Sequence, residues 1–277
     1  MLKTSAAAIG GATGRRMATE QAALFRLDGR RALITGAGGG VGRALVARFK
    51  AAGAKVIGAD REEGLLDRAT LDHWAAFDLT NREAAAAVVE RLEAEGAEPD
   101  IVVSNAGFTR AETLSDIDGA TWERELAINL TGAFNIVSPA LEIMARRGGG
   151  SIVFIASVNA LAHYGNPAYA AAKAGLVAYA KSIAVERGVA GVRANVICPG
   201  SLRTPAWDHR LQKTPDLLDR VLPHYPLGRL VTRDEVASAA LFLASDAASG
   251  ITGAVLAVDA GLTAGNLRFV NEVLGGG

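Results

Sequence analysis

From Arg31 onward the chain repeats one unit, a short apolar run followed by a helix-length segment with a single apolar face. Arg31-Ala32-Leu33-Ile34-Thr35 stops at glycines, as a strand covered on both faces does. A helical pattern follows, with Val41, Leu45, Val46 and Phe49 on one side and Gly53 closing it. Further strands are predicted at 55–59, 73–77, 100–104, 151–156, 192–197 and 254–258. Helices are predicted at 82–95, 121–147, 167–187 and 232–245, with Thr232 and Glu235 forming a capping box on the last. Parallel strands need long crossovers, so this alternation implies one parallel sheet with helices on both faces. The expected fold is a single doubly wound α/β domain.

Composition narrows the function. The 277 residues carry 29 lysines plus arginines against 29 aspartates plus glutamates, so nothing attracts nucleic acid or an anionic membrane over long range. The single cysteine, Cys198, excludes an internal disulfide and any cysteine-rich metal site, and its apolar surroundings predict a buried thiol. No His/Asp/Glu cluster has metal-ligand spacing, and no metal is expected. No apolar stretch reaches the ~20 residues that span a bilayer, so no membrane partner is expected. Residues 1–26 read as a flexible extension. Their arginines, Arg15 and Arg16, follow the small apolar stretch 2–14, the reverse of a secretion signal, and Met17 offers an alternative start. The expected compartment is the cytoplasm. Residues 27–263 form the expected domain and 264–277 a tail. Segment 201–230, with Pro205, Pro215, Pro223 and Pro226, breaks the rhythm and reads as a lid.

Between the first strand and first helix stands Thr35-Gly36-Ala37-Gly38-Gly39-Gly40-Val41-Gly42. Glycines allow positive φ and let a phosphate reach the backbone, and the helix N-terminus behind them offers free N–H groups. A dinucleotide diphosphate suits both features. Asp60 ends the second strand, 18 residues beyond Gly42. Its carboxylate can accept hydrogen bonds from adenosine ribose hydroxyls and would repel a 2′-phosphate, which favours NAD over NADP. Arg61 works against that preference.

The chemistry is expected in Ser157 … Tyr169-Ala170-Ala171-Ala172-Lys173. Tyr169 and Lys173 are four apart in a predicted helix and share a face. A free phenol, with a pKa of about 10, is a poor base at neutral pH, and a neighbouring ammonium is expected to lower it. Tyr169 then exchanges a proton with an alcohol or carbonyl as hydride moves, and Ser157 holds the same substrate oxygen.

The Thr-Gly-x-x-x-Gly-x-Gly loop with the Tyr-x-x-x-Lys pair resembles the short-chain dehydrogenase/reductase family, and the likeness covers nearly all of residues 29–263. The resemblance implies a Rossmann-like sheet of about seven strands, ordered 3-2-1-4-5-6-7. It implies a catalytic tetrad of Asn129, Ser157, Tyr169 and Lys173, with Asn129 kinking its helix and Lys173 also holding the nicotinamide ribose. Cofactor contacts are implied for Gly36, Gly38, Gly40, Val41, Gly42, Asp60, Asp78, Leu79, Asn105, Ala106, Gly107, Tyr169, Lys173, Pro199, Gly200, Leu202 and Thr204. Members of the family commonly associate as tetramers through C-terminal elements, and the resemblance implies a homotetramer or homodimer here. Two departures stand out. Ser157 and Tyr169 are 12 residues apart, one fewer than usual, and Ala260 stands where a second glycine often follows the aspartate. Substrate-facing candidates are Ser157, Asn159, Tyr164 and Trp207, with Phe108, His163, Asn166 and His209 nearby; the mixture suits a small hydroxylated or cyclic molecule. The expected activity is NAD-linked hydride transfer to or from a small secondary alcohol or ketone. Reduction of a 3-oxoacyl thioester is the alternative, and a catalytically silent NAD-binding regulator is the reading from another class.

Overall fold

The computed structural model describes residues 23–109, 113–202, 214 and 216–275. Seven parallel strands form one sheet in the order β3-β2-β1-β4-β5-β6-β7. They are β1 Arg31–Thr35, β2 Lys55–Asp60, β3 His73–Ala76, β4 Ile101–Ser104, β5 Gly150–Ile155, β6 Val192–Pro199 and β7 Val255–Val258. The helices are α1 Gly40–Ala51, α2 Arg82–Ala94, α3 Gly119–Leu126, α4 Gly132–Arg146, α5 Pro167–Arg187, α6 Leu217–Val221, α7 Arg233–Ala244 and α8 Leu267–Val273.

The period-two alternation of strand side chains divides the core into two layers. Leu33, Ile57, Val102, Ile152, Phe154 and Val196 meet α2, α4 and α5 on one face. Ala32, Ile34, Val56, Ile101, Val103, Val153 and Ile197 meet α1 and α7 on the other. Both faces being covered is why the strands read as unbroken apolar runs. The α7 capping box forms as expected, with Thr232 Oγ1 accepting from the Glu235 N–H and Glu235 reaching back to the Thr232 N–H.

Several local expectations change. The long helix expected at 121–147 is two helices joined by a π-helical turn, Ala127–Thr131, centred on Asn129. Taken together, Gly119–Arg146 is long and apolar enough to cross a bilayer by composition alone. Its apolar face is spent on the sheet instead, and Glu125, Asn129 and Asn135 are buried along it. Residues 23–26, expected within an extension, are held to the domain: the Leu24 carbonyl accepts from Ala247 N–H, and the Phe25 and Phe242 rings lie 6.3 Å apart. The expected tail carries α8, capped by the Asn266 side chain.

One contact ties the sheet together where strand order reverses. Thr35 Oγ1, buried at the end of β1, accepts from the Asn105 and Ala106 N–H groups at 3.0 and 3.1 Å. Asn105 Nδ2 donates in return to the Thr35 and Gly36 carbonyls. Thr35→Val keeps the shape and removes the acceptor, leaving two half-buried amides short of a partner. The expected cost is about 1–3 kcal/mol, read as a lower urea midpoint with an unchanged m-value; an unaltered midpoint would refute the role given to this hydroxyl.

Candidate active site

β1 and β4 are neighbours whose following chains leave toward opposite ends of the sheet, so a crevice opens beyond their carboxyl ends. The glycine loop fills its floor. Gly36 adopts φ +64, and a Cβ there would meet the Ala106 Cα at 2.9 Å. A Cβ on Gly42 would overlap the Gly36 carbonyl oxygen, so the loop closes onto α1 only with glycine at that position. Gly39 caps α1 without a side-chain hydrogen bond. The N–H groups of Gly40, Val41 and Gly42 have no acceptor within the helix and are available to an anion.

The Gly38 N–H donates to Asp60 Oδ2 at 2.9 Å, and Asp60 Oδ1 accepts from Arg61 N–H. The end of β2 is thereby locked to the loop. A cavity of about 510 Å³ opens beside them, lined by Gly36, Asp60, Asp78, Leu79, Gly107 and Arg124 among others. Asp78 accepts from the Thr80 N–H and hydroxyl, and these hydrogen bonds hold its carboxyl below the usual range. The Leu79 carbonyl accepts from Asn135. A flat apolar-edged group with hydroxyls on one side fits this space, as the adenosine half of a dinucleotide would.

Farther along the sheet, Pro199 ends β6 and the Gly200 N–H donates to the Val258 carbonyl. Gly200 packs so closely on Asp259 that a Cβ would meet its Cα at 3.0 Å. Leu202 pairs with Val231 as an isolated parallel bridge. Thr204, Trp207 and His209 lie outside the described residues, as does the rest of 203–213, and 215, in the expected lid.

Ser157 follows β5 and caps the turn Val158–Ala160. Asn166 in a left-handed conformation and Pro167 at the first helical position start α5, which places Tyr169 and Lys173 on one face. The Ser157 hydroxyl sits close enough to Tyr169 to favour its ionised form, while Ser157 Oγ donates to Asn159 Oδ1 at 3.2 Å. Lys173 is buried, with Nζ 5.4 Å from the Tyr169 ring centre and donating to the Ile155 carbonyl at 2.9 Å. Asn129 Oδ1 accepts from the Phe108 N–H, and its Nδ2 donates to the carbonyls of Phe108 and Glu125. Gly107 has only hydrogen facing this group, since a Cβ would lie 3.0 Å from Asn129 Oδ1 and 3.4 Å from Lys173 Nζ. All four tetrad candidates therefore surround one end of the crevice. Asn159 instead pins the shortened loop, donating to the Gly165 carbonyl at 2.7 Å, while Tyr164 is exposed and turned toward the Leu262 carbonyl.

The electrostatics correct one expectation. Burial pushes the Tyr169 phenol up to about 12, against the opposing hydrogen bond from Ser157, and the Glu125 charge adds to the rise. Burial likewise lowers Lys173 to about 8. The ammonium points at a backbone carbonyl, and desolvation of both groups outweighs the expected lowering of the phenol. Cys198 is buried, and burial pushes its thiol up to about 11. Glu125 is a residue that the sequence reading missed. It is fully buried on α3, accepts from the Thr109 hydroxyl at 3.1 Å and lies one helical turn before Asn129. The i, i+4 spacing to Asn129 was the available signal.

Residues 36–263 match the family described as Enoyl-(Acyl carrier protein) reductase. The galactitol 2-dehydrogenase (L-tagatose-forming) of Cereibacter sphaeroides is 38% identical over 251 residues, 87% of this chain and 97% of that protein. An oxidoreductase of the short chain dehydrogenase/reductase family from Burkholderia thailandensis matches with a TM-score of 0.84 at 44% identity, over 90% of this chain and 98% of that one. A gluconate 5-dehydrogenase from Burkholderia cenocepacia, solved in complex with NADP and tartrate, matches with a TM-score of 0.83 at 33% identity, over 88% and 99%.

A phenol held above its ordinary pKa is protonated at neutral pH. Alcohol oxidation, which needs it to accept a proton, is expected to speed up as pH rises, whereas carbonyl reduction is expected to slow. Glu125→Gln removes the nearby negative charge, so both limbs should move to lower pH in kcat/KM profiles. Limbs that stay in place, or move upward, would show that the Glu125 charge does not reach Tyr169.

Proposed function

The chain belongs to the short-chain dehydrogenase/reductase family, and from that premise we propose an NAD(H)-dependent dehydrogenase of small secondary alcohols and ketones, of the sugar, polyol or cyclic-alcohol type. Family membership makes the protein an oxidoreductase that binds a nicotinamide cofactor and acts on CH–OH groups of small molecules. The observation that carries the rest is the juxtaposition of Ser157, Tyr169 and Lys173, with Lys173 Nζ 5.4 Å from the Tyr169 ring centre, at the end of a glycine-floored crevice.

The nicotinamide supplies the hydride acceptor or donor when bound. Ser157 holds the substrate oxygen, and Tyr169 exchanges its hydroxyl proton with that oxygen. Lys173 provides the positive charge of the site and the donor for the ribose hydroxyls. Asn129 keeps the 107–109 backbone against the pocket. The glycine loop and the first turn of α1 receive the diphosphate; Asp60, Asp78 and Leu79 border the adenosine, and Pro199, Gly200, Leu202 and Thr204 the nicotinamide. Asp60 supports NAD because a carboxylate at the end of β2 would repel a 2′-phosphate brought beside it. Arg61 is engaged by Glu62 at 2.6 Å, which blunts its pull on such a phosphate.

Polyhydroxylated substrates are supported by the relatives named for galactitol and gluconate. Relatives from Thermotoga maritima and Escherichia coli named 3-oxoacyl-[acyl-carrier-protein] reductase, 35% and 37% identical over 86% of this chain, favour a second reading in which a 3-oxoacyl thioester is reduced. A silent NAD-binding regulator would have no need of a complete Ser157–Tyr169–Lys173 set. We assign the enzyme to the cytoplasm as a homotetramer or homodimer, with the domain running over 27–263. The exposed Leu256 and Ala257 of β7, a strand at the sheet edge, support association between copies.

Tyr169→Phe is expected to lower kcat about 100-fold or more while leaving NADH binding, followed by nicotinamide fluorescence, unchanged; full turnover in this variant would exclude the mechanism. Asp60→Ala is expected to reduce the NAD over NADP preference in kcat/KM about tenfold, one good charge-assisted contact. A wild-type preference for NADP would overturn the cofactor assignment, and activity on acetoacetyl thioesters without activity on polyols or cyclic alcohols would favour the second reading.

A further inference from the structure

We infer that the Arg124 guanidinium, backed by the Phe108 ring, stacks on the purine of the cofactor as one wall of the adenosine cavity. The inference rests on the cofactor reading above and adds to it a contact with the base, from a residue outside the expected cofactor set.

The helix sets the placement. Asp118 caps α3, accepting from the Thr121 N–H at 2.7 Å, and Arg124 stands in the last turn. Positions three and four apart share a helical face, and Arg124, Ala127 and Ile128 line the same cavity as Asp60, Asp78 and Leu79. From that face the Arg124 side chain lies over the Phe108 ring, with Cζ 5.4 Å from the ring centre. Both side chains are exposed, and both line the cavity. One face of a planar guanidinium is thereby covered by an aromatic ring, which leaves the other for a second flat group.

The surroundings favour a base over a phosphate. Arg61, the other guanidinium on the lining, is tied to Glu62 at 2.6 Å. The Arg124 head rests on a ring instead, and its longer-range attraction helps keep the Asp78 carboxyl low. The lining is otherwise rich in apolar side chains, with Phe77, Leu79, Ala127 and Ile128 as well as Phe108. A guanidinium is weakly hydrated and stacks on aromatic faces more readily than an ammonium does. Its attraction for a ring grows as the pair is withdrawn from water, so a purine that fills the cavity strengthens the contact it completes. The diphosphate has its own donors in the glycine loop and the first turn of α1, which leaves Arg124 to the base.

Calorimetry with ADP, inorganic pyrophosphate and 2′,5′-ADP separates a base contact from a phosphate contact. Arg124→Ala and Arg124→Gln are expected to weaken ADP and NADH about fivefold, the size of one partly desolvated cation–π contact. Pyrophosphate, measured as an ADP competitor, is expected to keep its wild-type affinity. The loss is expected to persist in high salt, where attraction at a distance is screened. Because Arg124 is exposed, the melting temperature of the ligand-free variants is expected to stay at the wild-type value, which certifies the fold. Pyrophosphate weakened as much as ADP, 2′,5′-ADP weakened more than ADP, an effect that vanishes in high salt, or ADP left untouched would each overturn the stack while leaving the cofactor reading standing. Wild-type protein that binds neither ADP nor NADH would remove both.

Discussion

The close approach of the ends of β1 and β4 is the constraint on which the site depends. Thr35 and Asn105 exchange hydrogen bonds across it, and Gly36 passes so near Ala106 that no side chain would fit. The glycine loop, the start of α1 and the Asn105–Gly107 segment are thereby set in one rigid floor. The diphosphate and adenosine side of the proposed cofactor site hangs from that floor. Asp60 is bonded to the loop through the Gly38 N–H, and the loop in turn turns its backbone donors outward.

A second feature is the burial of the chemical groups. Lys173 is nearly inaccessible, and both it and Tyr169 are pushed toward their neutral forms by desolvation. The π-helical turn at Asn129 works in the same region. It breaks the helix between α3 and α4, frees the Asn129 amide to clamp Phe108, and aligns Glu125 behind it. The phenol there feels both its own burial and the Glu125 charge, whereas the amine of Lys173 responds chiefly to its own burial.

Much of this was legible in the chain. The seven strands, their order and the start of α5 follow from apolar run length, glycine punctuation and family likeness, and their ends differ by only a residue or two. The helix break was legible only as an implied kink, because a polar Asn129 in an apolar stretch does not announce a π turn. Asn159 and Tyr164 read alike as substrate-facing loop polars, yet one pins a carbonyl inside the loop and the other lies exposed near Leu262. That difference is set by how the shortened loop folds back, which spacing does not encode.

The sequence by itself determined the doubly wound sheet, the phosphate-receiving loop and the shared face of Tyr169 and Lys173, because each depends on periodicity or on residues close along the chain. Only the tertiary structure decided where Lys173 points, in which direction burial moves the phenol, and that Glu125 comes within reach of the site. Those are matters of distance and desolvation between segments remote in the chain, and they exist only once the two helical layers have closed on the sheet.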